Sequence, residues 1–342
     1  MKKSTKIAMV IALSCIALGA VISLGTLAAI HFDFERLNTM KFETNTYDVS
    51  ESFSNIHVEG AECTVRLVPS QTDACRVVCT EGDRISHTVT VDQDTLTVTR
   101  TDTRRWYEHI GVYWGGMDIT VYLPARAYEN LSIKSASGEI RVPGGFSFSQ
   151  AELRSASGDI EYAADTEHGL TLKTASGDLT VSGLTAGSLE ARSTSGEVAI
   201  RSVTVRGDLV VETVSGEIEL EDASAQALSV QSTSGNLELT NVSTAAPMKF
   251  HAVSGDVGLT DVIAAAHMDI ETVSGEIHLE RSDAETLWIK STSGDVSGSL
   301  LTDKLFITHT TSGDVRVPNS STSGGTCEVT TTSGEIHLNY VN

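Results

Sequence analysis

One phrase limits what this chain can fold into more than any other feature: Ser-Gly-acid returns eleven times between Ser137 and Glu335, at intervals of nineteen to twenty-one residues. Its glycines are Gly138, Gly158, Gly177, Gly196, Gly216, Gly235, Gly255, Gly275, Gly294, Gly313 and Gly334, each preceded by serine and followed by Asp or Glu, except at Asn236. Self-similarity at this period marks a stack of small units, none of which can bury a core alone. A stack grows along one axis, so 342 residues fit one elongated body.

Columns of like residues flank the phrase. Leu131, Leu170, Leu189 and Leu209 stand six places before its serine, Ile133, Leu153, Leu172 and Val211 four before, and Ile140, Ile160, Leu179 and Val198 just after the acid. Alternation on both sides predicts two short strands per rung, bent about the phrase, with a looser third side. The inward set reads Leu131, Ile133, Ser135 and Ser137, then restarts at Ile140 and Val142. Serine and glycine are thus expected inside the corner, glycine for its tolerance of positive φ and close backbone approach, with the acid outside. Hydroxyls at the places of Ser135 and Ser137 are expected to bond neighbouring turn backbone. From Leu305 the spacing carries one extra residue, which predicts a bulge near Thr308 to Thr310. Eleven rungs at about 4.8 Å make a stack about 50 Å long.

Aromatic residues are 5% and prolines only five, a profile of short strands and tight turns. The fold class expected is therefore all-β, a parallel β-solenoid of about 20-residue rungs preceded by one N-terminal transmembrane helix. The helix is read from the uncharged run Ile7 to Ile30, which follows Lys2, Lys3 and Lys6. Twenty-four residues without a charge can cross a hydrocarbon core of about 30 Å. The flanking charges place the N-terminus in the cytoplasm and the bulk outside, a single-pass cell-membrane location. A cleaved signal peptide is the other reading, disfavoured by the length of the run. The organisation expected is a cytoplasmic stub and anchor over 1–31, a juxtamembrane connector over 32–52, atypical N-terminal rungs or cap over 53–130, and the eleven-repeat solenoid over 131–342. In the cap region, Ile56 to Leu67 reads as a degenerate repeat; a meander of hairpins turning at Asp92-Gln93-Asp94 is the alternative.

The formal charge is −21, or −24 without the three leading lysines. Such a body repels nucleic acid and attracts cations or basic partners. The acids after each glycine, Glu139, Asp159, Asp178, Glu197, Glu217, Asp256, Glu276, Asp295, Asp314 and Glu335, should line one outer corner, offset by Lys134, Arg154, Lys173 and Arg192. They are either a comb for cationic ligands or polar turn residues on a solvated edge. A second candidate patch is Arg104, Arg105, Trp106, Tyr107, Tyr113 and Trp114, either stacking on sugars or a membrane interface, or plugging the open end of the stack.

Of the five cysteines, Cys75 and Cys79 lie about 13 Å apart on one strand, too far to pair, whereas an oxidising exterior would let Cys63 pair with Cys79. No cysteine pair has metal-site spacing near histidines, so neither a metal nor a cofactor is expected. Paired carboxylates on a β-helix can cleave polysaccharide, but here every rung repeats the same acid and none is singled out. The chain has no metalloprotease, nucleophile-elbow or phosphate-loop motif, so it reads as no enzyme.

The TxSGD and TxSGE phrases, such as Thr292-Ser293-Gly294-Asp295, together with the preceding Val121 to Pro124, resemble a bacterial, adhesin-labelled domain-of-unknown-function family of β-strand-repeat envelope proteins. The resemblance covers about residues 50 to 342. It implies a parallel β-solenoid, usually tethered to a membrane, with no catalytic residue to carry over. The function expected is a membrane-anchored extracellular, non-catalytic structural or adhesive envelope module, with envelope proteins, glycans or cationic peptides as partners. Alternatives are a sensor of cationic antimicrobial peptides in an envelope-stress response and, more weakly, a polysaccharide-cleaving β-helix enzyme.

Overall fold

Apolar residues at every second place on both sides of a tight turn are buried together only when the two strands line a common interior. The computed structural model describes residues 3–29, 41–106, 116–321 and 324–341, and among them one helix is followed by twenty-eight strands in one continuous sheet. The strands before the first repeat are Phe42–Val49 (β1), Asn55–Gly60 (β2), Cys63–Ser70 (β3), Cys75–Gly82 (β4), Ile85–Asp92 (β5), Thr95–Asp102 (β6) and Met117–Pro124 (β7). In the first full rung, Ala127–Ser135 (β8) runs into the Ser-Gly turn and Ile140–Val142 (β9) leaves it. Ser147–Ser155 (β10) and Ile160–Tyr162 (β11) lie parallel on it, Leu131 beside Ala151 and Ile140 beside Ile160. The same parallel winding continues through Ile277–Glu280 (β22), making the chain a parallel β-solenoid.

Two of the three sides are packed with Leu, Ile and Val from the columns flanking the turn, all buried. The third side tapers. Its inward positions run Tyr128, Phe148, Thr166 and Ala186 in successive rungs, and Phe53, Tyr128 and Phe148 stack at 6.0 and 5.9 Å between ring centroids. Large rings thus fill the N-terminal end, and small side chains let the sides close further along. A second corner lies five residues beyond each acid, where Ser202, Asp222, Asn241, Asp261 and Arg281 hold φ between 49° and 57°. Asn and Asp tolerate this left-handed conformation better than most residues, which accounts for three of the five.

At both ends the order of rungs in space departs from the order in the chain. β2 and β3 are sandwiched, with β6 and β7 on one side and β8 and β9 on the other. The last strands are Asp283–Ser291 (β23), Val296–Leu300 (β24), Lys304–Ser312 (β25), Val315–Arg316 (β26), Gly325–Ser333 (β27) and Ile336–Tyr340 (β28). Here β27 and β28 slip between the rung of β23 and β24 and the rung of β25 and β26. Gly324 and Gly325 make room for this insertion, because a Cβ on either would lie 1.7 Å from the carbonyl of Asp303 or Glu285. At the N-terminal end, antiparallel β4 and β5 cover the outer edges of β7 and β6, and β1 covers β4. β1 is drawn from the segment read as a connector, and β5 and β6 form a hairpin at Asp92-Gln93-Asp94 beside the parallel rungs.

Three expectations are corrected. The bulge near Thr308 to Thr310 is absent: β25 follows β27 without a shift, Phe306 beside Cys327 and Thr308 beside Val329, and so keeps the phase of the other rungs. The extra residue instead puts Phe306 and Thr308 on the inward places, half-buried, and turns Leu305 and Ile307 outward. Lys304 in exchange turns inward, 2% exposed, onto Asp283 and the Ala284 carbonyl, both at 2.6 Å.

The serine of the motif is also not inside the corner, since Ser157, Ser176, Ser195 and Ser215 are exposed. The chain turns outward before the glycine, which alone approaches the core.

The transmembrane anchor is overturned as well. The uncharged run does form a helix, Lys3–Ala29 (α1), but among the described residues no helix is long and apolar enough to cross a membrane. The membrane as partner and the single-pass location with an extracellular bulk fall with it, as does the anchored form of the function.

Candidate functional site

The surface with the most regular chemistry is the Ser-Gly-acid corner. Its glycines are there for space. A Cβ on Gly158, Gly177, Gly196, Gly216 or Gly235 would stand 1.8 to 2.2 Å from the carbonyl oxygen of the glycine in the preceding rung. Positive φ occurs in this column only at Gly138 and Gly313, so packing and not conformation demands the residue.

The hydroxyl two places before the motif's serine braces the turn from inside. Thr174 Oγ1 accepts the Gly177 N–H at 3.1 Å and donates to the Gly158 carbonyl at 3.2 Å. Ser193 repeats both bonds with Gly196 and Gly177, at 2.9 and 3.2 Å. In these two rungs a buried hydroxyl therefore ties its own turn to the turn below, while Thr213 and Ser232 hold only the N–H of their own glycine.

The acid column has two kinds of member. Where it holds Asp or Asn, the side-chain oxygen accepts the backbone N–H of the next acid: Asp159 from Asp178 at 2.9 Å, Asp178 from Glu197 at 2.8 Å, Asn236 from Asp256 at 3.0 Å, and Asp256 from Glu276 at 2.8 Å. Asp295 does the same for Glu335 of the inserted rung at 2.8 Å. The longer Glu side chains make no such bond among the described residues; Glu197, Glu217 and Glu276 stand clear beside the exposed serines. Only Glu139, on Arg141 at 2.6 Å, and Asp314, on Arg316 at 3.4 Å, have a cation within reach.

The expected counter-charges Lys134, Arg154, Lys173 and Arg192 do stand side by side in consecutive rungs, but before the turn. They face other acids. Arg154 pairs with Glu152, Lys173 with Glu190 at 2.9 Å, and Arg192 with Glu190 and Glu212 at 2.5 and 2.6 Å. On the opposite flank, Glu238 lies over Gly258, and partial burial together with Glu217 and Asp256 holds its carboxyl above the usual carboxylate range.

In the second candidate patch, Trp106 is 78% exposed and Arg104 bonds Asp102, whose carboxyl that arginine holds at about 2. Arg105 precedes Trp106 in the same described segment, whereas Tyr107, Tyr113 and Trp114 lie outside the described residues. Cys63 and Cys79 are free buried thiols with β7 between their strands, about two strand spacings or ~10 Å apart, which a disulfide does not span. Burial raises them to about 11 and about 12, so both stay protonated.

Sequence reasoning missed two polar features. One is the left-handed second corner, signalled by the Ser202, Asp222, Asn241 and Asp261 column at a fixed distance from the acid. The other is a buried network in the cap, where Glu81 accepts from Asn45 Nδ2 at 2.5 Å, Tyr47 OH at 3.0 Å and the His87 N–H at 2.5 Å. It joins residues far apart in the chain, and no spacing betrays it.

Comparison with known proteins gives one family. A family model described as Toastrack DUF4097 matches residues 53–211 and again 206–342. Among solved structures, a candidate adhesin of Bacteroides fragilis is 17% identical with a TM-score of 0.37, covering 88% of this chain and 97% of the other. A candidate adhesin of Parabacteroides distasonis is 13% identical with a TM-score of 0.45. A candidate lipid-binding protein of the same organism is 14% identical with a TM-score of 0.44, both at the same coverages. No curated protein matches the chain.

Proposed function

Because the chain belongs to the Toastrack DUF4097 family, we propose that it is a non-catalytic interaction module of adhesive type, which presents the acidic, hydroxyl-lined corner to a basic partner. One observation carries this reading: the Glu members of the acid column make no side-chain bond to the turn backbone, while the Asp members do. The corner is thus built by some carboxylates and leaves others without such a bond, with exposed serines beside them, Glu197 and Glu217 about one strand spacing apart and Glu276 three rungs further on. Acid–base catalysis needs two carboxyls whose surroundings set them apart. Here the column's carboxylates recur one per rung along a largely exposed corner.

The test is a titration with oligolysine at low and at physiological salt. The triple variant Glu197→Gln, Glu217→Gln, Glu276→Gln is expected to bind about 10-fold more weakly at low salt, with an unchanged circular dichroism spectrum. Wild-type binding that is absent, or indifferent to salt, would sink the reading.

A further inference from the structure

The two ends of the stack are finished differently. At the N-terminal end the core column after the turn runs Ile140, Val65, Ile119 and Cys79, each fully buried, because antiparallel strands continue the sheet beyond the last rung. At the C-terminal end the same column runs Val296, Ile336 and Val315. Ile336 is fully buried, but Val315 is 42% exposed, because among the described residues nothing covers the outer side of β26. The outer edge of β25 is closed only at its start, where the Phe306 N–H donates to Ser320 Oγ at 3.1 Å and the Ser321 N–H to the Lys304 carbonyl at 2.9 Å. Leu305 and Ile307 rim the same end and are 38% and 51% exposed.

An open sheet edge over an uncovered core takes up another strand. We infer that this end face docks a second copy of the chain, end to end about a two-fold axis. Charge favours a copy over an unrelated strand. Residues 305–313 carry no Asp, Glu, Lys or Arg and one histidine, His309, and β26 with its neighbour offers Asp314 and Arg316 on either side of Val315. Antiparallel pairing of β26 with its copy about Val315 sets each Asp314 opposite Arg316 of the second copy, so the edge is complementary to itself. The same arrangement points the two acidic bodies away from each other. Each copy has one such uncovered core end, so pairing about it stops at two.

The experiment is sedimentation of the full chain at physiological salt over a range of concentrations, as wild type, Arg316→Asp, and Asp314→Arg with Arg316→Asp. The wild type is expected at twice 36.3 kDa. Arg316→Asp puts like charges opposite each other and should raise the dissociation constant about 10-fold or more. The double exchange restores opposite charges and should return it to near the wild-type value. Both side chains are exposed, so neither variant disturbs the core. A wild type that is monomeric throughout overturns the inference. So does association that Arg316→Asp leaves unchanged, which would place the contact elsewhere, such as the exposed apolar side chains of α1.

Discussion

At the scale of single residues, the motif's serine and glycine have opposite burdens. Gly196→Ala drives a Cβ to within 1.8 Å of the Gly177 carbonyl, and the rungs cannot part without loss of their hydrogen bonds. A loss of about 3 kcal/mol is expected in chemical denaturation. Ser195→Ala, on the exposed side of the same turn, should stay within about 0.5 kcal/mol of wild type, and an equal loss from both would refute the assignment. Burial holds the His87 imidazole below its usual value of 6.5 against the pull of Glu81, and its Nε2 has no partner among the described residues to receive a proton's charge. Burial alone would raise Glu81, but hydrogen bonds from Asn45, His87 and Tyr47 hold it below its usual value. Both groups bind fewer protons folded than unfolded, so their contribution is present above the unfolded values and lost as pH falls. The melting temperature should decline as pH drops from 7 through 6.5 toward 5, and His87→Gln should flatten that decline. A wild-type profile as flat as the variant's would remove the cap network from the account.

At the scale of elements, the strands flanking each turn were legible because side-chain parity is a local property with a period of two. Leu131, Ile133, Ile140 and Val142 are buried where alternation puts them. What parity could not reveal is where the chain bends. Ser137 continues the inward count on paper, yet the backbone has already turned by then, and the motif serines of the following rungs face solvent. Parity also read Leu305 as the start of the inward set, whereas pairing with β27 seats Phe306 and Thr308 there. An outermost strand can leave Leu305 and Ile307 outside, and which strand is outermost is a matter of stacking order. The acid column was visible as a column, but its division into bracing Asp and free Glu depends on one methylene of reach. The cap network among Asn45, Tyr47, Glu81 and His87 joins β1, β4 and β5, whose pairing no repeat announces.

At the scale of the molecule, the exchanged rungs make the ends interdependent. Removing residues 324–342 deletes β27 and β28, which among the described residues are the only strand partners of β25 and β26. Such a truncation is expected to release two rungs and not one. Limited proteolysis should then cut within residues 301–321 while residues 131–298 stay protected, and protection of residues 301–321 would contradict the exchanged order. The buried pair of Lys304 and Asp283 reaches past the inserted strand to the rung beneath it, so the outer rung is fastened over the inner one. A solenoid wound in strict chain order can be unravelled from a free end like a thread, one row of hydrogen bonds at a time. Here the last thread passes under the row before it. A pull on the C-terminus loads the bonds on both edges of β27 and β28 together, in shear, and the end of the polymer becomes a locking stitch.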